Sequence, residues 1–447
     1  CANNLPSEEP GDEYSKKAIR YSAFYGGRIG TAPKVPIRSL DDFSIWYTPG
    51  VAAVSRAIAK NRELSFEYTN RWNTIGILTD GTRVLGLGNI GPEGSLPVME
   101  GKALIYKYLG GVDAIPIPIR VDGVEQFVAT AKSLEPALGG INLEDIASPK
   151  CFEILERLRN EMSIPIWHDD QQGTAGVTLA ALYNALELTD RELRTSKITL
   201  FGSGAANIAT AKLLIEAGAD AGEMILVDSK GVLNAERDDM DQLLLRNRWK
   251  YELALKTNEA RVKGGLAEAL RNADVLIAAA TPGPNLIKKQ EIARMNKRAV
   301  AFLLANPIPE MWPDDAAAAG AEIVATGRSD FPNQVNNSLL FPAAFRGVLD
   351  VRAKTITDSM VIAAAQEMAK AAREKGLRKN YIIPDMLEWE VFPRVAAAIG
   401  MQAQREGQAR KKVSSGVIYK GAKKLIDTSR KISQLLVQRG IIAAPPP

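Results

Sequence analysis

Two acidic pairs, Glu144-Asp145 in INLEDI and Asp169-Asp170 in WHDDQQG, each close a run that reads as a buried strand. Hard divalent cations such as Mg²⁺ or Mn²⁺ take several oxygen ligands, and a protein commonly offers two or three carboxylates while substrate and water complete the octahedron. Burying that much negative charge without a cation is costly. An arbitrary acidic pair is usually a solvated loop or a helix cap. Here ALGGINL precedes the first pair and MSIPIW the second, so both sit where backbone leaves an apolar core. The chemistry they suggest is a divalent-metal site.

A phosphate-binding turn is the second chemical signal. Residues 86–91, GLGNIG, make a full G-x-G-x-x-G, whereas residues 202–207, GSGAAN, lack the final glycine. Context reverses their ranking. After Gly91 comes PEGSLPVM, with no immediate amphipathic helix, so 86–91 is expected to be a tight turn allowing close backbone approach. Around 202–207 a β-branched strand enters, AANIATAKLLIEAGA leaves at helical spacing, and Asp228 ends the next strand. Gly202, Gly204, Ala205, Ala206 and Asn207 are therefore the candidate pyrophosphate cradle, with Asp228, Ser229, Lys230 and Thr281 as further cofactor candidates. Asn207 replaces a small residue, which predicts a wider helix–strand crossing or an added side-chain hydrogen bond. Asp228 suits a ribose diol and repels an extra phosphate, whereas Lys230 attracts one; the balance favours NAD over NADP.

These groups need elements to position them. Residues 41–172 alternate short strands (TIGILTD, RVLGLG, AIPIPI, IPIWH) with helical stretches, and from Lys197 the pattern is that of a dinucleotide-binding domain. The expected fold is α/β: a substrate and metal domain over 1–172, a Rossmann-type domain over 173–350, and a helical segment over 351–447 returning to the first domain. The Ala- and Leu-rich stretch between Gly173 and Thr195 reads as the connector, and a hinge there and near 340–350 would close the domains over substrate.

At 447 residues the chain is long enough for two or three domains with ample core. Basic residues exceed acidic ones by four, and the excess lies toward the C-terminus instead of along an aromatic-interleaved stripe, which argues against nucleic acid. Cys1 and Cys151 provide neither a disulfide framework nor a zinc spacing, and a reducing cytoplasm fits them. No apolar run spans a bilayer, and residues 1–20 lack the apolar centre of a signal peptide. The start at Cys1 reads as a truncation instead of a lipidated cysteine.

Taken together, WYTPGVAAV (46–54), DGTRVLGLGNIGP (80–92), PVMEGKA (97–103), GGINLEDI (139–146), HDDQQGTA (168–175), ANPIPE (305–310) and TGRSDFPNQVNN (326–337) resemble the malic enzyme family in its shorter bacterial and archaeal form. The resemblance implies metal-dependent oxidation of L-malate by NAD or NADP, decarboxylation to pyruvate and protonation of an enolate. By this analogy Glu144, Asp145 and Asp170 hold Mg²⁺ or Mn²⁺, Lys102 is the general base with a pKa lowered by burial and the dication, and Asp169 orients it. Tyr47 matches the general acid. Arg83, Asn306 and Asn337 align with positions that bind malate or the nicotinamide ribose and amide, and Asn336 is expected to support Asn337 or contact the cofactor. Arg328 and Asp330 are expected to pair with each other.

His168, the only histidine in the chain, is assigned to packing and supporting hydrogen bonds, and Gln172 stands where relatives often carry histidine. The family also implies a homodimer or dimer of dimers, in which Tyr47 could serve a neighbouring subunit. No fused phosphotransacetylase domain is expected. Competing readings are a malolactic enzyme, which would be distinguished by lactate formation, an amino-acid dehydrogenase, which needs no such carboxylates, and a non-catalytic dinucleotide-sensing relative.

Overall fold

The computed structural model describes residues 12–446; Cys1 and the first part of the polar N-terminal stretch lie outside the described residues. Four short parallel strands, β1 Thr74–Thr79, β2 Asp113–Pro118, β3 Gly140–Leu143 and β4 Ile166–His168, form a sheet in the order β2-β1-β3-β4. A second sheet has the order β10-β9-β8-β5-β6-β7, from β5 Ile198–Phe201, β6 Met224–Asp228, β7 Gly231–Val232, β8 Val275–Ala278, β9 Ala299–Leu303 and β10 Ala321–Thr326. All its pairs are parallel except β6 with β7. Parallel strands are covered on both faces and so are continuously apolar. β1, β8 and β9 are buried along their whole length.

Register decides where the chemistry gathers. Leu143 on β3 pairs with His168 on β4, so the residues that follow, Glu144-Asp145 and Asp169-Asp170, leave the same sheet edge side by side. That edge is the carboxyl end of a parallel sheet, where open α/β folds bind ligands. The chain then makes a wide π-type turn over Asp169–Gly173 before helix Thr174–Leu188, a geometry that recurs at functional sites.

Two local expectations are corrected. RVLGLG is not a strand: Val84 and Gly88 form only an isolated bridge, and Leu85 has a φ of 48°. A helix does follow the first glycine motif, running over Gly91–Gly110 with Pro92 in its first turn and Pro97 inside it. Proline is tolerated in the first turn because that N–H lacks an intrahelical partner anyway. Farther along, Met99, Ala103, Tyr106 and Leu109 are buried; KALIYKYLGG reads as helical from sequence, and the fold extends that helix back through the proline-containing stretch to Gly91.

Beyond the second sheet the chain is helical, with Phe341–Asp350, Asp358–Glu374, Val391–Arg405 and Ser415–Gln438. This segment packs back on the first sheet's helix Gly91–Gly110. Buried Arg346 ties it down, reaching Asn73 Oδ1 at 2.5 Å and Asp350 Oδ1 at 2.6 Å. Among the described residues no helix is long and apolar enough to cross a membrane.

Candidate active site

A cleft of about 770 Å³ opens between the carboxyl edges of the two sheets, and Arg83, Lys102, Glu144, Asp145, Asp170, Gly204, Ala205, Ala206, Asn306, Asn336 and Asn337 all line it. One carboxylate oxygen from each of Glu144, Asp145 and Asp170 lies within 4.8 Å of the others. Backbone geometry helps: Asp145 has a φ of 53°, and its N–H donates to Asp170 Oδ2 at 2.9 Å. Asp145 Oδ2 is buried and accepts no hydrogen bond. An orphaned carboxylate oxygen facing two other carboxylates fits a hard divalent cation. Burial raises the Glu144 carboxyl, with Asp170 adding to the rise, while burial and Asp170 push Asp145 up to about 7. These rises disfavour the ionised carboxylates, and a bound dication would act against them.

Lys102 projects from helix Gly91–Gly110 between these acids. Its ammonium is 3.0 Å from Glu144 Oε1, ion-paired with Asp169 Oδ2, and 4.3 Å from the centre of the Phe341 ring. Asp169 is outside the three-carboxylate cluster; its Oδ1 accepts from Trp167 Nε1 at 2.9 Å, and its Oδ2 is left to Lys102. Gly173 makes room for it, since a Cβ there would sit 2.0 Å from Asp169 Oδ1. The lowering expected of Lys102 belongs to a site that holds a dication; the side chains by themselves act in the other direction. Burial does disfavour the ammonium, but Asp169 and Glu144 outweigh it and hold the group above the usual lysine range.

Several residues that brace these groups were not singled out from the sequence, although Asn142, Asp80 and Glu310 lie within the motifs quoted above and only Tyr106 lies outside them. Tyr106 is fully buried, and its hydroxyl donates to Asn142 Oδ1 at 2.7 Å while Asn142 Nδ2 donates to Glu144 Oε2 at 2.9 Å. Helical spacing from Lys102 could have pointed to Tyr106. Asp80 accepts from Thr82 Oγ1 at 2.6 Å and pairs with Lys150 at 2.5 Å, bracing the loop that carries Arg83. Glu310, buried in ANPIPE, accepts from Ala280 N at 2.7 Å and Ala305 N at 3.1 Å, joining the loops after β8 and β9.

The dinucleotide signature also reaches the cleft. Gly202 has a φ of 90°, and a Cβ there would lie 2.6 Å from Ala279 O, whereas a Cβ at Gly204 meets nothing within 4 Å. Gly204 thus leaves open space at the start of helix Ala205–Glu216, where free N–H groups favour a pyrophosphate. Gly204→Val is accordingly expected to weaken coenzyme binding at least about tenfold by filling the approach to the backbone. Its stability should stay within roughly 1 kcal/mol; unchanged coenzyme titration would count against the cradle. Asn207 faces the sheet instead of the cleft, donating to Phe201 O at 2.9 Å and Ile277 O at 3.2 Å, the added hydrogen bonding that its size predicted.

Other candidates lie apart from the cleft. Tyr47 is 72% exposed just after helix Leu40–Trp46 and does not line it. Thr281 is exposed beside the lining residues Ala280 and Pro282. Ser229 and Lys230 are exposed after β6, and Lys230 Nζ reaches Asp239 at 2.8 Å. Asp228 is not a free acceptor: its Oδ1 takes Lys230 N at 2.8 Å and Arg237 Nη1 at 3.0 Å, and its Oδ2 pairs with Lys250. Arg328 and Asp330 pair at 2.6 Å.

His168 is fully buried, with both ring nitrogens unbonded, and burial pushes its pKa down to about 3. It is neutral packing; the hydrogen bond that supports the turn comes from its backbone N–H to Gln172 Oε1 at 3.0 Å. The first glycine motif is a close-approach turn, with Gly86 facing Pro282 so tightly that a Cβ would lie 2.5 Å from its Cγ.

Known proteins resemble this chain in sequence and fold. Residues 171–404 match the family model described as malic enzyme, NAD binding domain, and residues 26–124 and 120–159 match that of the malic enzyme N-terminal domain. The chain is 44% identical over 410 residues to the bifunctional malic/malolactic enzyme of Bacillus subtilis, covering 92% of this chain and 98% of that protein. It is 44% identical over 386 residues to the NAD-dependent malic enzyme of Geobacillus stearothermophilus, covering 86% and 78% respectively. The crystal structure of Entamoeba histolytica malic enzyme superimposes with a TM-score of 0.95 at 41% identity, over 99% of this chain and 94% of that one. With both halves of the chain matched and the acid cluster, the lysine and the dinucleotide turn facing one cleft, the chain belongs to the malic enzyme family.

Proposed function

We propose that this protein is an NAD(P)-dependent, decarboxylating malate dehydrogenase that converts L-malate to pyruvate and carbon dioxide. The observation that carries the reading is the convergence of the three-carboxylate cluster, Lys102 and Gly204 on one cleft. When bound by Glu144, Asp145 and Asp170, Mg²⁺ or Mn²⁺ would supply Lewis-acid polarisation of the malate oxygens. The nicotinamide coenzyme, cradled at 202–207, would supply the hydride acceptor.

The chain's own groups do the rest. Lys102 Nζ takes the hydroxyl proton, which requires the amine to be neutral at that moment; Asp169 keeps it aimed and Phe341 shields it from water. Arg83 offers a guanidinium to a malate carboxylate, and Asn306, Asn336 and Asn337 offer amides to substrate and coenzyme along the same wall. The deciding assay follows reduced-coenzyme absorbance with L-malate, with Mn²⁺ or chelator. No turnover with either coenzyme would sink the reading. The B. subtilis relative is named a bifunctional malic/malolactic enzyme, which supports a malolactic side activity; lactate formation without net coenzyme reduction would make that the main reaction.

Asp228 alone would favour NAD, but its charge is offset by Arg237 and Lys250, so NADP is expected to be used as well. Lys230→Ala should then lower kcat/KM for NADP by about tenfold, the worth of one charge-assisted hydrogen bond, and barely change it for NAD. Equal losses with both coenzymes would remove Lys230 from the phosphate site.

The exposed position of Tyr47 is read through assembly. Leu40, Phe43, Ile45, Trp46 and Tyr47 form an exposed apolar face, and such faces mark interaction surfaces. A homodimer burying this face would bring Tyr47 to the neighbouring subunit's cleft, where its hydroxyl could protonate the enolate carbon. Mixing Tyr47→Phe and Lys102→Met subunits should then restore about a quarter of wild-type sites, as random pairing dictates. No recovery, or a monomer in sedimentation, would refute the exchange. A reducing cytoplasm suits Cys151, a buried free thiol whose pKa burial pushes up to about 12.

A further inference from the structure

Behind the turn that carries Asp169 and Asp170 lies a second cavity of about 170 Å³, which shares no lining residue with the catalytic cleft. Its walls come from helix Lys150–Glu161 on the first sheet's side, from helices Ala205–Glu216 and Arg248–Lys256 on the second sheet's side, and from the start of helix Asp358–Glu374. Two side chains there carry donors with nothing to donate to. Arg159 Nε and Nη2 are sequestered from solvent and unbonded, and so is Nε2 of Gln172, a residue only 6% exposed. Lys212 adds a second cationic group at the wall, 3.7 Å from Glu252.

The acids nearby do not satisfy this arginine. Glu156 is committed to Arg248 and to Trp249 Nε1. Asp358 is exposed and attracts Arg159 electrostatically, but among the described residues no ion pair joins them within 4.0 Å. Nε and Nη2 form the side edge of the guanidinium, whose parallel N–H bonds match a carboxylate. A cavity of this size admits an acid of a few carbons and excludes a nucleotide.

Gln172 links the cavity to the catalytic turn. Its Oε1 holds the His168 N–H at 3.0 Å, immediately before Asp169, while its Nε2 is the free cavity donor. Gln171 anchors the same turn to helix Lys150–Glu161 through Cys151 O at 3.3 Å.

We propose that this cavity binds a small carboxylate, gripped side-on by Arg159 and by the Gln172 amide, and that its occupancy shifts the Asp169–Asp170 turn and so the cation affinity of the catalytic cluster. The site itself stands independently of the functional reading above; only the coupling to the metal rests on it.

The test titrates acetate, succinate and inorganic phosphate into the full chain by calorimetry at constant ionic strength, with and without Mn²⁺, in wild type, Arg159→Met and Lys212→Met. Wild type should bind acetate or succinate saturably, and Arg159→Met should weaken that binding at least about tenfold. A saturating carboxylate should change the Mn²⁺ dissociation constant at least about fivefold in wild type but not in Arg159→Met, and Mn²⁺ should change carboxylate affinity by the same factor. Should Arg159→Met not fold, Lys212→Met, with a side chain 38% exposed, carries the comparison.

Carboxylate binding unchanged in the variants, absent altogether, or weaker than that of phosphate would overturn the site. Variant-sensitive binding with an unmoved Mn²⁺ constant would overturn the coupling. A chain that binds neither Mn²⁺ nor coenzyme would instead strike down the functional reading, with the carboxylate titration still judging the cavity.

Discussion

Lys102→Met is expected to lower kcat by about 10²–10⁴-fold, the range that a positioned general base contributes, while leaving coenzyme affinity essentially intact. Mn²⁺ affinity should be retained or improved, because Lys102 competes for Glu144 Oε1 at 3.0 Å and methionine does not. This opposite movement of turnover and metal binding separates a proton-transfer role from a structural one. The metal-free variant should also be less stable by roughly 3–5 kcal/mol, since removing one partner of a buried pair leaves the other uncompensated, and Asp169 is fully buried. Turnover should therefore be compared in Mn²⁺-loaded samples. A metal-loaded variant that keeps wild-type kcat would remove Lys102 from the chemistry.

Asp170→Asn is the second large effect. Outer-shell partners of a metal already contribute roughly 10–100-fold to affinity, so loss of a direct carboxylate ligand is expected to weaken Mn²⁺ binding by at least about 100-fold, and turnover with it. The metal-free protein should respond the other way. Asp170 raises the carboxyls of both Glu144 and Asp145 by like-charge repulsion, so the neutral amide should increase its melting temperature. Wild type should in turn gain stability on adding Mn²⁺, and the variant should gain little, because only binding to the folded state stabilises it. Equal Mn²⁺-induced shifts in both proteins would take Asp170 out of the ligand set.

Much of the framework could be read from residue order. Strand runs such as TIGILT and VLIA are long enough and apolar enough to announce buried parallel strands, and the strand, GSG turn and helix around 202–207 kept a dinucleotide fold's local grammar despite Asn207. The second half of the helix over Gly91–Gly110 reads as helical in KALIYKYLGG, but its first half was not legible, because the prolines and glycines there argue against helix. RVLGLG misled for the complementary reason: alternation over a few residues resembles a strand, but positive φ at Leu85 and Gly88 bends the chain back.

The residue types of the site were equally visible, since acids that end apolar runs carry their own electrostatic argument. Their company was not. Lys102 reads as a solvated helix residue until the fold buries it between Asp169 and Glu144, and the rise in its pKa follows from those neighbours alone. Asp228 reads as a free diol acceptor until Arg237 and Lys250, from elsewhere in the domain, occupy its oxygens. Tyr47 reads as part of one catalytic set until the chain leaves it exposed outside its own cleft.

Periodicity, turn chemistry and acids that end apolar runs are local properties, so the linear chain alone announced the α/β class and pointed to the glycine turn and the acid pairs that the fold then gathers at one cleft. Which side chains neutralise which, which face is left uncovered, and that Arg159 points unpaired into a second cavity depend on packing between distant segments. Electrostatic energies vary with burial and separation, and only the folded chain sets those.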